Sequence, residues 1–452
     1  MRIHLIAIGG AVMHNLAMAL HNKGYRVTGS DDEVFEPSRS RLAGYGLLPE
    51  TTGWNPARIT TELDGVILGM HAKKDNPELL RAQELGIKIW SFPEYIYEQS
   101  KDKKRVVIGG SHGKTTVTSM IMHVLHYNHF DFDYMVGSQL EGFETMVKLT
   151  ADAPVIILEG DEYLSSPIDP RPKFLLYHPH IAVLTGIAWD HMNVFPTFEN
   201  YLEQFRVFAE GIREDGVLFW YEEDRYLQEM TGGLKCRTLP YAAHPYSNKD
   251  GKNYLTGPGL QVEVPVFGNH NMQNIQAALE VCRELGLPDA QFYEAISGFR
   301  GAARRQELLA ESDQVKVYLD FAHAPSKVKA TLNSFREQWP EKRIFAFLEI
   351  HTFSSLNRDF LPQYRDSLGK ADAAYVFYDP HVVESKNLPP LDRKFVGDCF
   401  GTSNVDVLDE KGQLEAAALQ FGDGIYLFMS SGSFSGMDLK ALAAEIAEED
   451  HT

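Results

Sequence analysis

The stretch "RVVIGGSHGKTTVTSM", Arg105 to Met120, holds the residue types best suited to chemistry. An apolar run enters Gly109 and Gly110, passes Ser111, His112 and Gly113, and meets Lys114 at the start of a helical pattern. Backbone N–H groups of a Gly-rich turn, together with a helix N-terminus, make a seat for phosphate. Lys114 adds a mobile positive charge for outer phosphates, and the Thr115 hydroxyl can ligate Mg²⁺. The loop is short by the general P-loop pattern, because Ile108 stands where the earlier glycine belongs. In "PVIILEGDE", Glu159 closes a strand, an oxygen ligand that suits Mg²⁺ beside transferable phosphates. Asp161 and Glu162, just beyond it, read as a solvated acidic turn.

A second turn lies near the start. "RIHLIAIGG" ends in Gly9 and Gly10, and the N–H groups that follow can meet a diphosphate at a helix start. A GxGxxG dinucleotide fingerprint is absent, since Ala7 and Val12 occupy two of its glycine positions. Asp31 ends the next strand, "RVTGSDDE", where an acid can bond ribose hydroxyls or uracil.

These residues need strands and helices to hold them, and the alternation along the chain supplies three blocks. In the first, "RIHLIAIGG", a helix over "AVMHNLAMALHNKGY" and "RVTGSDDE" make one strand–helix–strand unit, continued by "DGVILGM" and "GIKIWSF". The polar "EQSKDKKR" reads as a linker. The second block alternates "VVIGG", "PVIILEGDE" and "IAVLTGIAWD" with helices, and carries a turn-rich excursion, "HPYSNKDGKNYLTGPG". The third contains "VKVYLDFAH", "RIFAFLEI", "AAYVFYD" and "GIYLFMSSG", then a helix tail read as solvated, "AAEIAEEDHT". The expected fold class is α/β in three domains, with boundaries at 1–101, 102–298 and 299–452.

Composition narrows the function classes. A net charge of −19 argues against non-specific nucleic-acid binding and anionic membranes, yet a local loop can still bind an anion. Three distant cysteines, Cys236, Cys282 and Cys399, give no zinc spacing and suit a reduced cytosol. No apolar run approaches a membrane span, and strand-like sequence from Ile3 leaves no room for a signal peptide. A cytoplasmic location is expected.

"GSHGKTT" resembles the phosphate loop of the Mur ligase superfamily, which makes amide bonds in peptidoglycan precursors and commonly lacks the earlier glycine. Ser111 stands where that family usually has Thr. Further segments resemble the family's landmarks in order: "ILEGDEY", "TGIAWDHMNVF", "FGNHNMQNIQAALEV", "GAARRQELL" and "YLDFAHAPSKVKATL". The resemblance implies an ATP site of Gly110, Ser111, His112, Gly113, Lys114, Thr115, Thr116, Asn271, Asn274, Arg305 and Asp320. Asn271 and Asn274, one turn apart, would pair with an adenine edge, and Asp320 with ribose hydroxyls. Arg305 would clamp phosphate, with Arg304 a solvated neighbour, and His323 would approach the γ-phosphate. Lys114, His191 and His323 would be catalytic, with Mg²⁺ held by Thr115, Glu159 and His191. This chain departs from the pattern at Gly186, usually Asn, and at Ala324, usually a second His.

The first block resembles the UDP-binding domain of the UDP-N-acetylmuramate ligases, implying UDP-sugar contacts from Gly9, Gly10, Ser30, Asp31, His71 and Asn76. Asn76-Pro77 could equally begin a helix. The implied architecture is a Rossmann-like first domain, a P-loop ATPase-type central domain and a Rossmann-like third. Phe205 falls where the D-glutamate-adding members carry a carbamylated lysine, which disfavours them. "EGDEYLSSPIDPRPKFLLYHPHIAVL" and "MSSGSFSGM" resemble the tripeptide-adding members, implying UDP-N-acetylmuramate and a murein peptide as substrates; addition of L-alanine is the alternative. A nicotinamide-dependent oxidoreductase would explain the first block alone, and a regulatory P-loop ATPase the loop alone. Each leaves the remaining landmarks unused.

Overall fold

The structure is a computed structural model that describes residues 1–189, 194–249, 251–301 and 304–448. The chain forms two compact units, Met1–Ile187 with Thr197–Ala242 and Gln276–Ala295, and Ala188–Pro196 with Ala243–Ile275 and Ile296–Thr452.

Two sheets dominate the first unit. Strands β1 (Arg2–Ile6), β2 (Arg26–Ser30), β3 (Gly65–Leu68) and β4 (Ile89–Ser91) are parallel, in the order β2-β1-β3-β4. Their apolar runs have helices to pack against, as both-face burial of a parallel sheet requires. The larger sheet uses β5 (Lys104–Gly109), β6 (Asp133–Met135), β7 (Val147–Lys148) and β8 (Val155–Glu159). A short hairpin follows, β9 (Leu164–Ser166) and β10 (Asp169–Pro172), before β11 (Ile181–Leu184), β12 (Val217–Tyr221) and β13 (Arg237–Tyr241) rejoin the sheet. Its order is β13-β12-β11-β5-β8-β6-β7, parallel except for β7. Strand β5, at the centre, is buried from Arg105 to Gly109, which sets the glycine-rich turn that follows it on the buried middle of the sheet.

The second unit holds an antiparallel sheet, β14 (Tyr246–Lys249), β15 (Lys252–Gly257) and β16 (Leu260–Val264), and a six-stranded one. The latter runs β17-β18-β22-β19-β20-β21 through β17 (Glu307–Glu311), β18 (Val315–Asp320), β19 (Ile344–Glu349), β20 (Ala373–Phe377), β21 (Val405–Leu408) and β22 (Gly424–Met429). Helices cover both faces. Pro325–Gln338 and Arg393–Phe400 pack on one through Leu332, Phe335, Val396 and Phe400. Lys411–Leu419 and Leu439–Glu448 pack on the other through Leu414, Leu442 and Ile446.

Two expectations change, and the turn-rich excursion after Ala243 takes the form of paired strands, β14 with β15. The polar "EQSKDKKR" is not a free linker: Lys103 and Arg105 are buried. Arg105 donates to the carbonyls of Tyr177 (2.8 Å), His178 (3.1 Å), Ser100 (2.8 Å), Lys101 (3.1 Å) and Lys103 (3.4 Å). The C-terminal helix buries one stripe, Leu442, Ala443 and Ile446, and only its other faces are solvated.

Candidate active site

Where β5 ends, the chain turns through Gly110 at φ +126° and Gly113 at φ +72°, both left-handed conformations that favour glycine. A Cβ on Gly110 would lie 2.1 Å from the Thr185 hydroxyl, so no side chain fits there. The same hydroxyl donates to the carbonyls of Gly109 (3.2 Å) and His112, and Ser111 N–H donates to Gly186 O at 2.9 Å. The turn is thus braced on the end of the neighbouring strand β11, which lets a short loop keep its shape. Helix Lys114–Tyr127 then starts at Gly113 with no side-chain cap, leaving its N-terminal dipole for an anion.

Lys114 Nζ donates to Gly110 O at 2.7 Å and to Glu162 Oε2 at 2.6 Å. Tyr201, from helix Phe198–Glu210, donates its hydroxyl to Glu162 Oε1 at 3.0 Å and lies 2.8 Å from Ser111 Oγ. A closed ring results: Gly110, Lys114, Glu162, Tyr201, Ser111. Glu162 is only 1% exposed, which overturns its reading as a solvated residue; a buried carboxylate needs the partners that Lys114 and Tyr201 provide. Asp161 is partly exposed and pairs with Lys173 at 2.5 Å, so it too is engaged. Burial pulls the Lys114 pKa down, but the charges of Glu162, Asp161 and Glu159 outweigh it and leave the ammonium raised above its ordinary value.

Thr115 Oγ1 donates to Glu159 Oε1 at 2.8 Å, and Gly137 N–H holds Glu159 Oε2 at 2.8 Å. Two hard oxygen donors in contact, at a helix start, fit Mg²⁺ that takes its other ligands from phosphate and water. Among the described residues no group of three or more His, Cys, Asp or Glu could hold a metal unaided. His191 lies outside the described residues.

The first glycine turn is built differently. Ala7 is left-handed (φ +65°), and Gly9 N–H donates to Asp31 Oδ2 at 2.7 Å. A Cβ on Gly9 would come within 2.9 Å of that oxygen. Burial pushes the Asp31 carboxyl up to about 6, with Asp32 adding to the shift and the Gly9 N–H opposing it. Helix Ala11–Asn22 starts at Gly10, again without a side-chain cap. His71 is exposed beside Gly10. Asn76 caps helix Pro77–Glu84, accepting from Glu78 N–H (2.9 Å) and Leu79 N–H (3.1 Å), so its oxygen serves the helix start. Ser30 is engaged in a buried cluster: its hydroxyl donates to Glu78 Oε2, and His4 Nε2 lies 3.3 Å from both. Sequence reasoning missed Glu78 and His4; the Glu of "DNPELL" was a visible signal, its burial was not.

In the second unit, Asn271 Nδ2 donates to Phe267 O and Gln306 Oε1, both at 2.9 Å, and Asn274 Nδ2 lies 3.4 Å from Asn271 Oδ1. Asp320 accepts from Gln306 N–H (2.9 Å), Ala322 N–H (2.8 Å) and Thr331 Oγ1 (3.1 Å). Gln306, unnoticed in the sequence, therefore ties the Asn helix to the end of β18. The Arg305 guanidinium stacks 4.3 Å above Phe321, and His323 Nδ1 donates to Phe321 O at 2.9 Å. Arg304 is no solvated neighbour: it donates to the carbonyls of Ser430 (3.2 Å) and Gly432. One unit thus gathers Lys114, Thr115, Glu159 and Glu162; the other gathers Asn271, Asn274, Asp320, Arg305 and His323.

Comparison with known proteins agrees with this layout. The Mur ligase family catalytic domain matches residues 2–104, the Mur ligase middle domain 108–282, and the Mur ligase glutamate ligase domain 304–432. A UDP-N-acetylmuramate–L-alanine ligase of Carboxydothermus hydrogenoformans is 32% identical, over 78% of this chain and 76% of its own. A UDP-N-acetylmuramate–L-alanyl-gamma-D-glutamyl-meso-2,6-diaminoheptandioate ligase of Haemophilus influenzae is 28% identical, over 97% of this chain and 98% of its own. A solved murein peptide ligase from Psychrobacter arcticus covers 99% of both chains with a TM-score of 0.68 at 21% identity, a likeness of fold. The chain belongs to the Mur ligase family of ATP-dependent, amide-forming ligases.

Proposed function

We propose that this chain joins the muramyl carboxylate of UDP-N-acetylmuramate to the free amine of L-Ala-γ-D-Glu-meso-diaminopimelate at the expense of ATP, as a peptidoglycan recycling enzyme of the cytoplasm. The observation that carries the choice of acceptor is the segment after Glu159. It folds as the β9–β10 hairpin, tied by Asp161–Lys173 (2.5 Å) and Asp169–Arg171 (2.7 Å), and it is the stretch that resembles tripeptide-adding rather than alanine-adding members.

In this proposal residues 1–101 bind the UDP-sugar through Gly9, Gly10, Asp31 and His71, while Ser30 and Asn76, expected as contacts, are buried and engaged by Glu78 and the helix start and shape the site from beneath. Residues 102–298 bind ATP through the loop Gly110–Thr116, Asn271 and Asn274. Residues 299–452 add Arg305, Asp320 and His323. The sugar carboxylate attacks the γ-phosphorus, ADP departs, and an acyl phosphate remains; the amine then attacks the acyl carbon and phosphate leaves. Two anions must approach, so the barrier is chiefly repulsion. Lys114 arrives charged, held so by Glu162, and can donate to a phosphate oxygen at once. Loop N–H groups aim at the same oxygens. Thr115 and Glu159, with His191, would hold Mg²⁺, which when bound supplies further neutralisation of phosphate charge.

The test is phosphate release with UDP-N-acetylmuramate and ATP, offering the tripeptide or L-alanine. We expect a kcat/KM at least about 100-fold higher for the tripeptide. Preference for L-alanine would assign the alanine-adding role instead, which the 32% identical relative represents.

A further inference from the structure

The carboxyl ends of β19 and β22 meet at a topological switch. The chain leaves β19 onto the sheet face where Leu356, Phe360 and Leu361 pack; it leaves β22 onto the other, where Phe434 and Leu442 pack. In open α/β sheets ligands bind in the crevice that such opposed departures create. A buried carboxylate closes the floor of this one. Glu349, the last residue of β19, is 4% exposed. It accepts from Ser430 Oγ, from Phe434 N–H at 3.0 Å and from Ser435 N–H at 3.3 Å. Ser430 Oγ in turn accepts from Gly432 N–H at 2.7 Å, and a Cβ on Gly432 would fall 2.7 Å from Glu349 Oε2.

The loop so held is one the chain would not adopt unaided. Phe434 and Ser435 are both left-handed, at φ +49° and +53°, although neither is glycine. Two consecutive strained residues donate their N–H groups to the same side chain, so these hydrogen bonds offset the strain. On the β18 side of β22, Asp320 and Arg305 belong to the proposed nucleotide set. The β19 side is left for the remaining substrate.

We infer that Glu349 is a positioning residue for the amine acceptor, shaping the Ser430–Gly436 loop against which the acceptor docks. The inference rests on the ligase reading and not on which acceptor is used. Glu349→Gln keeps the shape of the side chain but replaces one accepting oxygen by a donor. With saturating ATP and UDP-N-acetylmuramate, it raises the acceptor KM about tenfold or more, while the KM values for the other two substrates stay within about twofold. Adding Ser435→Gly recovers part of the acceptor KM, because glycine takes the left-handed conformation without the carboxylate, while the Ser435 Oγ bond to Asp379 at 2.7 Å is lost with the side chain. An unchanged acceptor KM in folded Glu349→Gln, or equal changes in all three KM values, overturns the inference. Should Glu349→Gln fail to fold, Ser430→Ala removes one donor to the carboxylate and raises the acceptor KM about threefold; no change there overturns it as well. A wild-type protein that releases no phosphate with any amine refutes the ligase reading instead.

Discussion

The two glycine turns of the first unit share a plan and differ in one charge. Each follows a central parallel strand, each starts an uncapped helix, and each has an acid at the end of an adjacent parallel strand. At the first turn the acid, Asp31, receives a backbone N–H, and no cation among the described residues pairs with it, so burial drives its carboxyl up to about 6. At the second, Glu159 and Glu162 stand beside Lys114, and the charges hold one another. The difference teaches what each turn can do. Uncharged N–H groups suffice to hold a phosphate that stays put; moving a phosphoryl group calls for a cation that is already protonated when the substrate arrives.

The sharpest way to break this comparison is Lys114→Ala. It should lower phosphate release by at least about 10³-fold while UDP-sugar affinity, read by calorimetry, changes less than about twofold. Equal losses in both would mean the turns are not separate. Glu159→Gln should cost about 10²-fold in turnover and shift the Mg²⁺ titration to higher concentration, with UDP-sugar affinity again unchanged. The third test concerns the first turn. Because the Asp31 pKa is raised in the folded state, folding binds a proton there; this contribution is full below 3.8 and is lost as pH rises to about 6. Asp31→Asn should therefore stabilise the protein above that window, by up to about 2–3 kcal/mol in denaturant titrations, and give no gain at its acid end. The smallest effect is expected from Glu162→Gln, about tenfold in kcat/KM for ATP. Its signature is the pH profile: without Glu162 the Lys114 pKa falls, so the alkaline limb of activity should move to lower pH.

Strand after strand was legible in the sequence because parallel strands buried on both faces read as continuous apolar runs: "VVIGG", "VIILE" and "GIYLFM" all lie where expected. Gly110, Gly113 and Lys114 were legible too, since a strand, a turn and a helix start need no distant partner to be recognised. What escaped was a set of polar side chains whose fate depends on another element. Glu162 looks exposed until helix Phe198–Glu210 brings Tyr201 over it. Arg304 looks solvated until the carbonyls after β22 arrive, over 100 residues later. Gln306 is a polar residue in a polar stretch, and only its left-handed backbone and its partners Asn271, Asp320 and Ser334 give it a task.

The guanidinium of Arg105 has a practical corollary. It gathers carbonyls from both sides of position 102, the place where composition suggests cutting the chain. A fragment expressed from residue 102 onward would keep the arginine and its bonds to Tyr177 and His178, but lose the oxygens of Ser100 and Lys101, leaving Nη1 the Lys103 carbonyl at 3.4 Å in their place. Truncations intended to isolate the part that carries Lys114 should begin ahead of helix Phe92–Gln99.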